Sequence, residues 1–425
     1  FFTGAYRKPR EFNWLIGIVL FTLGMLEGLF GYSLPDDLLS GTGLRITEGV
    51  LLGIPIIGTY GSFFLFGGQF PGNDIIPRLY VIHILLIPGL LLALITAHLF
   101  FMFHQKHTQM PGLGHTNQNV VGQPMYPYFM AKTGAWFMFI FGGLALLSTF
   151  AQINPIWLYG PYNPSAISAG SQPDFYMGIL EGSLRMSPSW TWDLAGHTVA
   201  WNVLIPALVP LGIIFTGAAL WPFIERWAIG DYHEHHVNDR PRNAATRTAI
   251  GMAVIAFYGI LWLEGANDVI ADHLSISLYL TTEIARYAIF IGPAVAYWVT
   301  KRICLGLQRK DLRLLEHGVE TGIIRQLPSG EYIEETRPLT EEERAALGAP
   351  AARPALPGEE PEEGRNVPPP GLRGGVGRVR LRLNRVLAES VPPVPGNGSD
   401  GNGHRPAEPQ EQDGPSEKPA VPRRS

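Results

Sequence analysis

The sequence predicts an all-α protein: a polytopic membrane helix bundle with six transmembrane helices and a cytoplasmic C-terminal tail. Three observations carry that reading. Six segments are apolar over the length needed to cross a bilayer. Lys and Arg crowd the connections at alternate ends of those segments. Two of the segments carry glycine or histidine at helical spacing, His83 and His98 lying in one uncharged run, "YVIHILLIPGLLLALITAHLF". An ionisable residue inside such a run is costly and by default signals a function.

The expected spans are 13–31, 78–103, 132–152, 201–222, 247–264 and 284–303. A seventh apolar stretch, 51–70, is broken by Gly and Pro and reads as a surface-lying or re-entrant piece. Arg7, Lys8 and Arg10 precede the first span, and Lys106 and Lys132 flank the connection from the second to the third. Arg226, Arg240, Arg242 and Arg247 lie between the fourth and fifth spans, and Lys301, Arg302, Arg309, Lys310 and Arg313 follow the sixth. The other connections are nearly bare of basic residues. Both ends of the chain are therefore expected in the cytoplasm, with 32–77 and 153–200 facing outward across the cell membrane. The opening "FFTGAYRKPREFNW" has no signal peptide and reads as a loop leading into a helix, with a further N-terminal part expected upstream.

Four regions are expected. Residues 1–152 and 153–304 are the two halves of the membrane part, and 305–347 is a small cytoplasmic segment. That segment has helical periodicity, a Pro328-Ser329-Gly330 turn and a Thr340-x-x-Glu343 capping box. From 348 to 425, Pro, Gly and acidic residues leave too little apolar surface for a core, so disorder is expected. The formal net charge of −4 implies no nucleic-acid partner. A single cysteine, Cys304, excludes a disulfide framework or a Cys-ligated cluster within these residues, and its place at the end of an apolar helix suits packing.

A helix rises 1.5 Å and turns 100° per residue, so His83 and His98 stand about 22 Å apart along the axis and about 60° apart around it. That suits two redox centres stacked across the bilayer. It does not suit one metal ion, whose ligands converge. The plain alternative is two histidines bonding backbone carbonyls, with Pro88 between them kinking the helix. In the first span Gly17, Gly24 and Gly31 recur every seven residues on one face. They suit either close helix packing or a flat macrocycle lying against bare backbone at Gly17 and Gly31, about 21 Å apart.

In the outward connection, "SQPDFYMG" sets the Asp174 carboxylate among aromatics. A carboxylate in apolar surroundings has a raised pKa and accepts protons near neutral pH. A loop turn with packed aromatics is the plain alternative. The His-rich "DYHEHHVNDRPR" lacks the i, i+4 histidine pair of a metal-binding helix and reads as a solvated loop.

Taken together, "GAYRKPREFNW", the glycine ladder, "RLYVIHILL…ITAHLF", "INPIWLYGPYNPSAISAGSQPDFYMG" and "DRPRNAATRTAIG" resemble cytochrome b, the quinol-oxidising di-haem subunit of cytochrome bc complexes, in its actinobacterial form. The resemblance runs from Phe1 to about Arg313. It implies two b-type haems, with His83 on the low-potential outer haem and His98 on the high-potential inner one. The opposite axial ligands would come from helices preceding this stretch. It further implies that Pro173, Asp174, Phe175 and Tyr176 stand for the family's Pro-Glu-Trp-Tyr motif at the quinol-oxidising site, in a menaquinol-using variant. The segment 34–46 would form the other wall of that site.

Arg78 is then a candidate counter-ion for a haem propionate, and Arg10 a candidate for the inner haem; a membrane-interface anchor competes in each case. His104 and Lys132 are carried over to the inner quinone site, Thr133 standing where the family has aspartate. The implied partners are a Rieske iron–sulfur subunit, a c-type cytochrome subunit and a terminal cytochrome c oxidase in a supercomplex, within a homodimeric complex embedded in membrane lipid. No Cys-x-x-Cys-His or cysteine cluster lies in this chain, so those centres belong to partners. The rival readings are the cytochrome b anchor of another quinone-linked dehydrogenase and, more remotely, an ion-coupled transporter. The long outward connections disfavour the first, and the absence of internal repeats the second.

Overall fold

The computed structural model describes residues 1–151, 158–166, 172, 174, 176–348 and 375–387. Helix α1 (Glu11–Tyr32) is the first span, followed by two shorter helices, α2 (Leu38–Leu52) and α3 (Ile57–Phe66). The second and third spans are α4 (Ile75–Gln105) and α5 (Met125–Phe150). Helix α6 (Gly178–Met186) and the hairpin β1 (Thr191–Leu194) with β2 (His197–Ala200) precede the fourth span, α7 (Trp201–Ile229). The fifth, α8 (Ala245–Glu264), leads through α9 (Asn267–Leu274) into α10 (Leu278–His317). Every expected span is a helix of membrane length, and the chain is a multi-pass membrane protein. The apolar stretch 51–70 holds α3, whose ten residues are too few to cross.

Beyond the spans the structure departs from the sequence reading. Helical periodicity ends at His317, and 319–337 is an antiparallel hairpin, β3 (Val319–Gln326) with β4 (Tyr332–Arg337). Gly318 makes the break: its φ is +82°, and a side chain there would collide with the Arg337 carbonyl. The Pro-Ser-Gly turn closes the hairpin, with the Leu327 amide donating to the Glu331 carbonyl at 2.8 Å. The Thr340–Glu343 capping box opens α11 (Glu341–Leu347) as expected. Within 348–425, where no structure was expected, Gly375–Leu387 forms a helix, α12.

Proline shapes two of the spans. Pro88 has no N–H to offer the carbonyl four residues back. The turn before it, Ile82–Leu86, widens to a π turn in which the Ile87 amide bonds the Ile82 carbonyl. In α7, Pro206 and Pro210 precede a further π turn at Gly212–Gly217, and the Tyr258 hydroxyl donates to the Pro210 carbonyl at 2.5 Å.

Two buried apolar clusters hold the bundle. One joins α2, α3 and the start of α4 through Leu44, Phe66, Ile75 and Leu79. The other joins α6, α8 and α10 through Ile179, Met186, Leu261 and Ala285. At the crossing of α6 and α8 the backbones nearly touch, since a side chain at Gly182 would overlap the Leu261 carbonyl. Most other apolar side chains of the spans are exposed, as a lipid-facing surface requires; every residue of α5 except Gly142 is.

The end of the bundle where α1 begins and α4 and α7 finish is laced by charge. Glu225 lies between the Tyr6 hydroxyl, which donates to it, and Arg247 at 3.2 Å. Arg247 also reaches Asp239 at 2.5 Å, which Arg7 meets at 3.0 Å, while Arg226 pairs with Glu11. Arg240 and Arg242 both hold Asp311. The motif "DRPRNAATRTAIG" is thus a structural clasp. Burial raises the Asp239 pKa, but the two guanidiniums outweigh it, and the carboxyl titrates below its ordinary value.

Candidate functional site

Helices α1 and α4 bring the two histidines against two of the glycines. The His83 ring lies on Gly31, where any side chain would overlap it. The His98 ring lies on Gly17, its Cε1 being 3.7 Å from where a Cβ would stand. Gly24, between them, faces open space. Gly17 and Gly31 are fourteen residues apart and the histidines fifteen. The π turn, which contains His83, absorbs the extra residue, so the histidine pair keeps step with the glycine pair over about 21 Å.

The His83 Nδ1 is 3.1 Å from the Glu27 carbonyl and 3.2 Å from the Glu27 carboxylate, leaving Nε2 free of hydrogen bonds among the described residues. The His98 Nδ1 is buried without a partner among the described residues. Among the described residues no three His, Cys, Asp or Glu side chains converge to hold a metal ion.

Near Gly31 a cavity of about 260 Å³ opens. The end of α1 (Leu29, Tyr32, Ser33) and α2 (Ser40, Gly43, Ile46) form one wall, and Asp174, Met177, Leu180 and Arg185 the other. A capping box between Asp37 and Ser40 starts α2 at the cavity edge. Gly43 leaves open space in the wall, and Gly41 admits the Tyr162 ring, which ties the segment 158–166 to α2. The Tyr176 hydroxyl donates to the Asp174 Oδ2 at 2.5 Å, and Gly28 clears its place on α1, a Cβ there falling 3.0 Å from that hydroxyl. Burial raises the Asp174 pKa, and the bond from Tyr176 only partly offsets it. The Tyr176 phenol is raised too, by burial and then by Asp174. Two polar atoms in the lining, the Tyr32 hydroxyl and Gln172 Oε1, are buried with no partner among the described residues. Pro173 and Phe175 lie outside the described residues.

A family profile described as cytochrome b(N-terminal)/b6/petB matches residues 1–161. The chain is 52% identical over 349 residues to the cytochrome bc1 complex cytochrome b subunit of Streptomyces coelicolor, covering 82% of this chain and 64% of that one. Identity to the subunit of the same name from Mycobacterium tuberculosis is also 52%, over 80% of this chain and 62% of the relative. For Corynebacterium diphtheriae it is 47%, at the same coverage. Over residues 1–161 and the stretch aligned with these relatives, the chain is similar to the cytochrome b family. It spans 62–64% of the length of these relatives.

Cytochrome b proteins carry haem b, and the residues present fit it. Two imidazoles stand at two heights along one membrane-length helix, each against a glycine that leaves backbone bare, and one has a buried nitrogen without a partner among the described residues. The other expected contacts fare differently. Arg10 is buried with its donors taken up: they reach the carbonyls of Gln105, Lys106, His107 and His235, and His236 Nδ1. It therefore caps the end of α4, and the propionate reading is corrected to a structural one. His235 and His236 are correspondingly half-buried rather than solvated, His235 pairing with Asp231 at 3.0 Å. Arg78 bonds the Phe64 and Leu65 carbonyls at the end of α3 and pairs with Asp74 at 3.0 Å. His104 stacks on Phe100 and is exposed; Lys132 lies on exposed α5, and no hydrogen bond joins the two. Three residues of the site escaped the sequence reading: Glu27, Tyr32 and Gly28 as the seat of Tyr176.

Proposed function

We propose that this chain is the quinol-oxidising cytochrome b subunit of a respiratory cytochrome bc complex, using menaquinol as reductant. The observation that carries the reading is the placing of His83 tightly against Gly31 and of His98 beside Gly17, at two heights in a single helix pair. Two b-type haems, bound through His83 and His98, would supply one-electron carriers near the two membrane surfaces. The chain's own part is to hold them and to handle protons. Glu27 holds the His83 ring through Nδ1, and Nε2 would then be the nitrogen left to ligate a haem iron.

At the cavity, a quinol hydroxyl must lose its proton as the ring loses electrons. Asp174 is the base for that step. Its Oδ2 is held by Tyr176, which leaves Oδ1 to take the proton. The shorter Asp, where the family has Glu, calls for a bridging water. The Tyr32 hydroxyl, in the cavity wall with no partner among the described residues, orients the quinol head group. Released protons leave on the cavity side. His104 and Lys132, at the basic end, supply protons to a quinone reduced there, and release on one face with uptake on the other separates charge. The basic end faces the cytoplasm. With one cysteine in the chain, the iron–sulfur centre and c-type haem that receive the other electrons belong to partner subunits.

The test is a reduced-minus-oxidised visible spectrum with redox titration of the complete subunit in its complex. Wild type is expected to give two b-type components, with His83→Ala and His98→Ala each losing a different one. Retention of both components in both variants would overturn the reading.

A further inference from the structure

Helix α12 (Gly375–Leu387) has no task in the redox reading. It is nonetheless docked on the bundle. The Asn384 side chain is fully buried, and its Nδ2 donates at 3.1 Å to the Ile229 carbonyl, one of the last backbone acceptors of α7. One turn earlier the Arg380 guanidinium lies 6.0 Å above the Trp227 ring. Residues i and i+4 share a helix face, so Arg380 and Asn384 are the side of α12 turned to the protein.

Two other faces are left. Arg378, Arg382 and Arg385, at i, i+4 and i+7, form one row, and all three are exposed. Val379, Leu383 and Val386 form the neighbouring row, with Val376 one turn before; Val376 is 72% and Val379 53% exposed. A cationic row beside an apolar row on an exposed helix is the pattern of a helix lying in a membrane interface. The docking point fixes its height. It is the final turn of a membrane-spanning helix, beside Trp227, and Arg226 of that turn pairs with Glu11, the first residue of α1. Here the bundle leaves the hydrocarbon and lipid phosphates begin.

We propose that α12 is an interfacial anchor that binds anionic phospholipid head groups on the basic side of the membrane, its arginines on the phosphates and its valine row among the upper acyl carbons. The charge complementarity and the continuity with the lipid-facing surface of α7 select lipid over a protein partner. This inference needs only that the bundle spans a membrane, and stands apart from the redox reading.

The test uses the full subunit with its complex in nanodiscs of phosphatidylcholine alone or with about 30% phosphatidylglycerol. Amide hydrogen exchange is followed in 375–387. Anionic lipid is expected to slow exchange on the order of 100-fold, with the effect weakened by added salt. The triple substitution Arg378→Gln, Arg382→Gln, Arg385→Gln is expected to abolish the difference while α7 and α8 exchange as before. A second variant, Asn384→Ala, should loosen α12 in phosphatidylcholine and be rescued by the anionic lipid. Equal exchange in the two lipids, or a triple variant that responds like wild type, would overturn the proposal. A difference that survives high salt would point to a protein contact instead.

Discussion

Asp239 and Asp174 sit at opposite ends of the bundle, both partly buried, and their carboxyls are pushed in opposite directions. Burial raises each. Asp239 meets Arg7 and Arg247, and the two cations more than cancel the cost of leaving water. Asp174 meets a phenol and, among the described residues, no cation. The difference teaches what each end is for. Charges at the basic end neutralise one another and clamp helix termini together. At the cavity a carboxyl is left able to change protonation, in a lining that also holds the Tyr32 hydroxyl, buried with no partner among the described residues.

Breaking the clamp should have the largest effect. In Arg247→Leu the Glu225 carboxylate, 4% exposed, keeps the Tyr6 hydroxyl but loses its cation. Removing one partner of a buried pair costs about 3–5 kcal/mol, so the detergent-solubilised complex should show a clearly lowered Tm. An unchanged melting curve would mean that water reaches this cluster. Next comes Asp174→Asn, expected to slow quinol oxidation by about 10²–10⁴-fold with the haem spectrum unaltered; unimpaired turnover would remove Asp174 as the base. The smallest effect sharpens the comparison through pH. A base must be deprotonated to work, so activity falls as pH drops through its pKa, and a raised pKa moves that fall upward from the ordinary aspartate value of about 3.9. The Tyr176 bond lowers the Asp174 pKa. Tyr176→Phe should therefore move the acid limb of the rate profile further up in pH. Movement downward would mean that the phenol acts by some route other than its bond to Asp174.

The six spans were legible because about 20 apolar residues are needed to cross a bilayer, and few other structures ask for such a run. The matching heights of the histidine pair and the glycine pair were legible because helical geometry converts sequence spacing into height and angle. What was hidden depends on partners far apart in the chain. Glu27 reads as an isolated acid in a span until His83, 56 residues on, comes beside it. Gly28 looks like one more packing glycine until Tyr176 fills the space it leaves. Arg10 looked free for a propionate because nothing in sequence announces that four carbonyls will surround it. Helix α12 was lost in an average, since a thirteen-residue periodic run disappears in a long Pro- and Gly-rich stretch. The 319–337 hairpin was missed because its β-branched residues were read on from the helix before them.

The π turn in α4 makes the spacing of the two histidines a matter of local winding rather than of count. Deleting one residue between Ile84 and Ile87 should let the turn relax to ordinary α geometry, with both imidazoles still over their glycines. Deleting one residue between Gly89 and His98 has no such slack to draw on, and would rotate His98 by about 100° away from Gly17. Tolerance to a change in length is thus concentrated in one turn of this helix. Across variants of this chain, that turn is where a one-residue gap belongs.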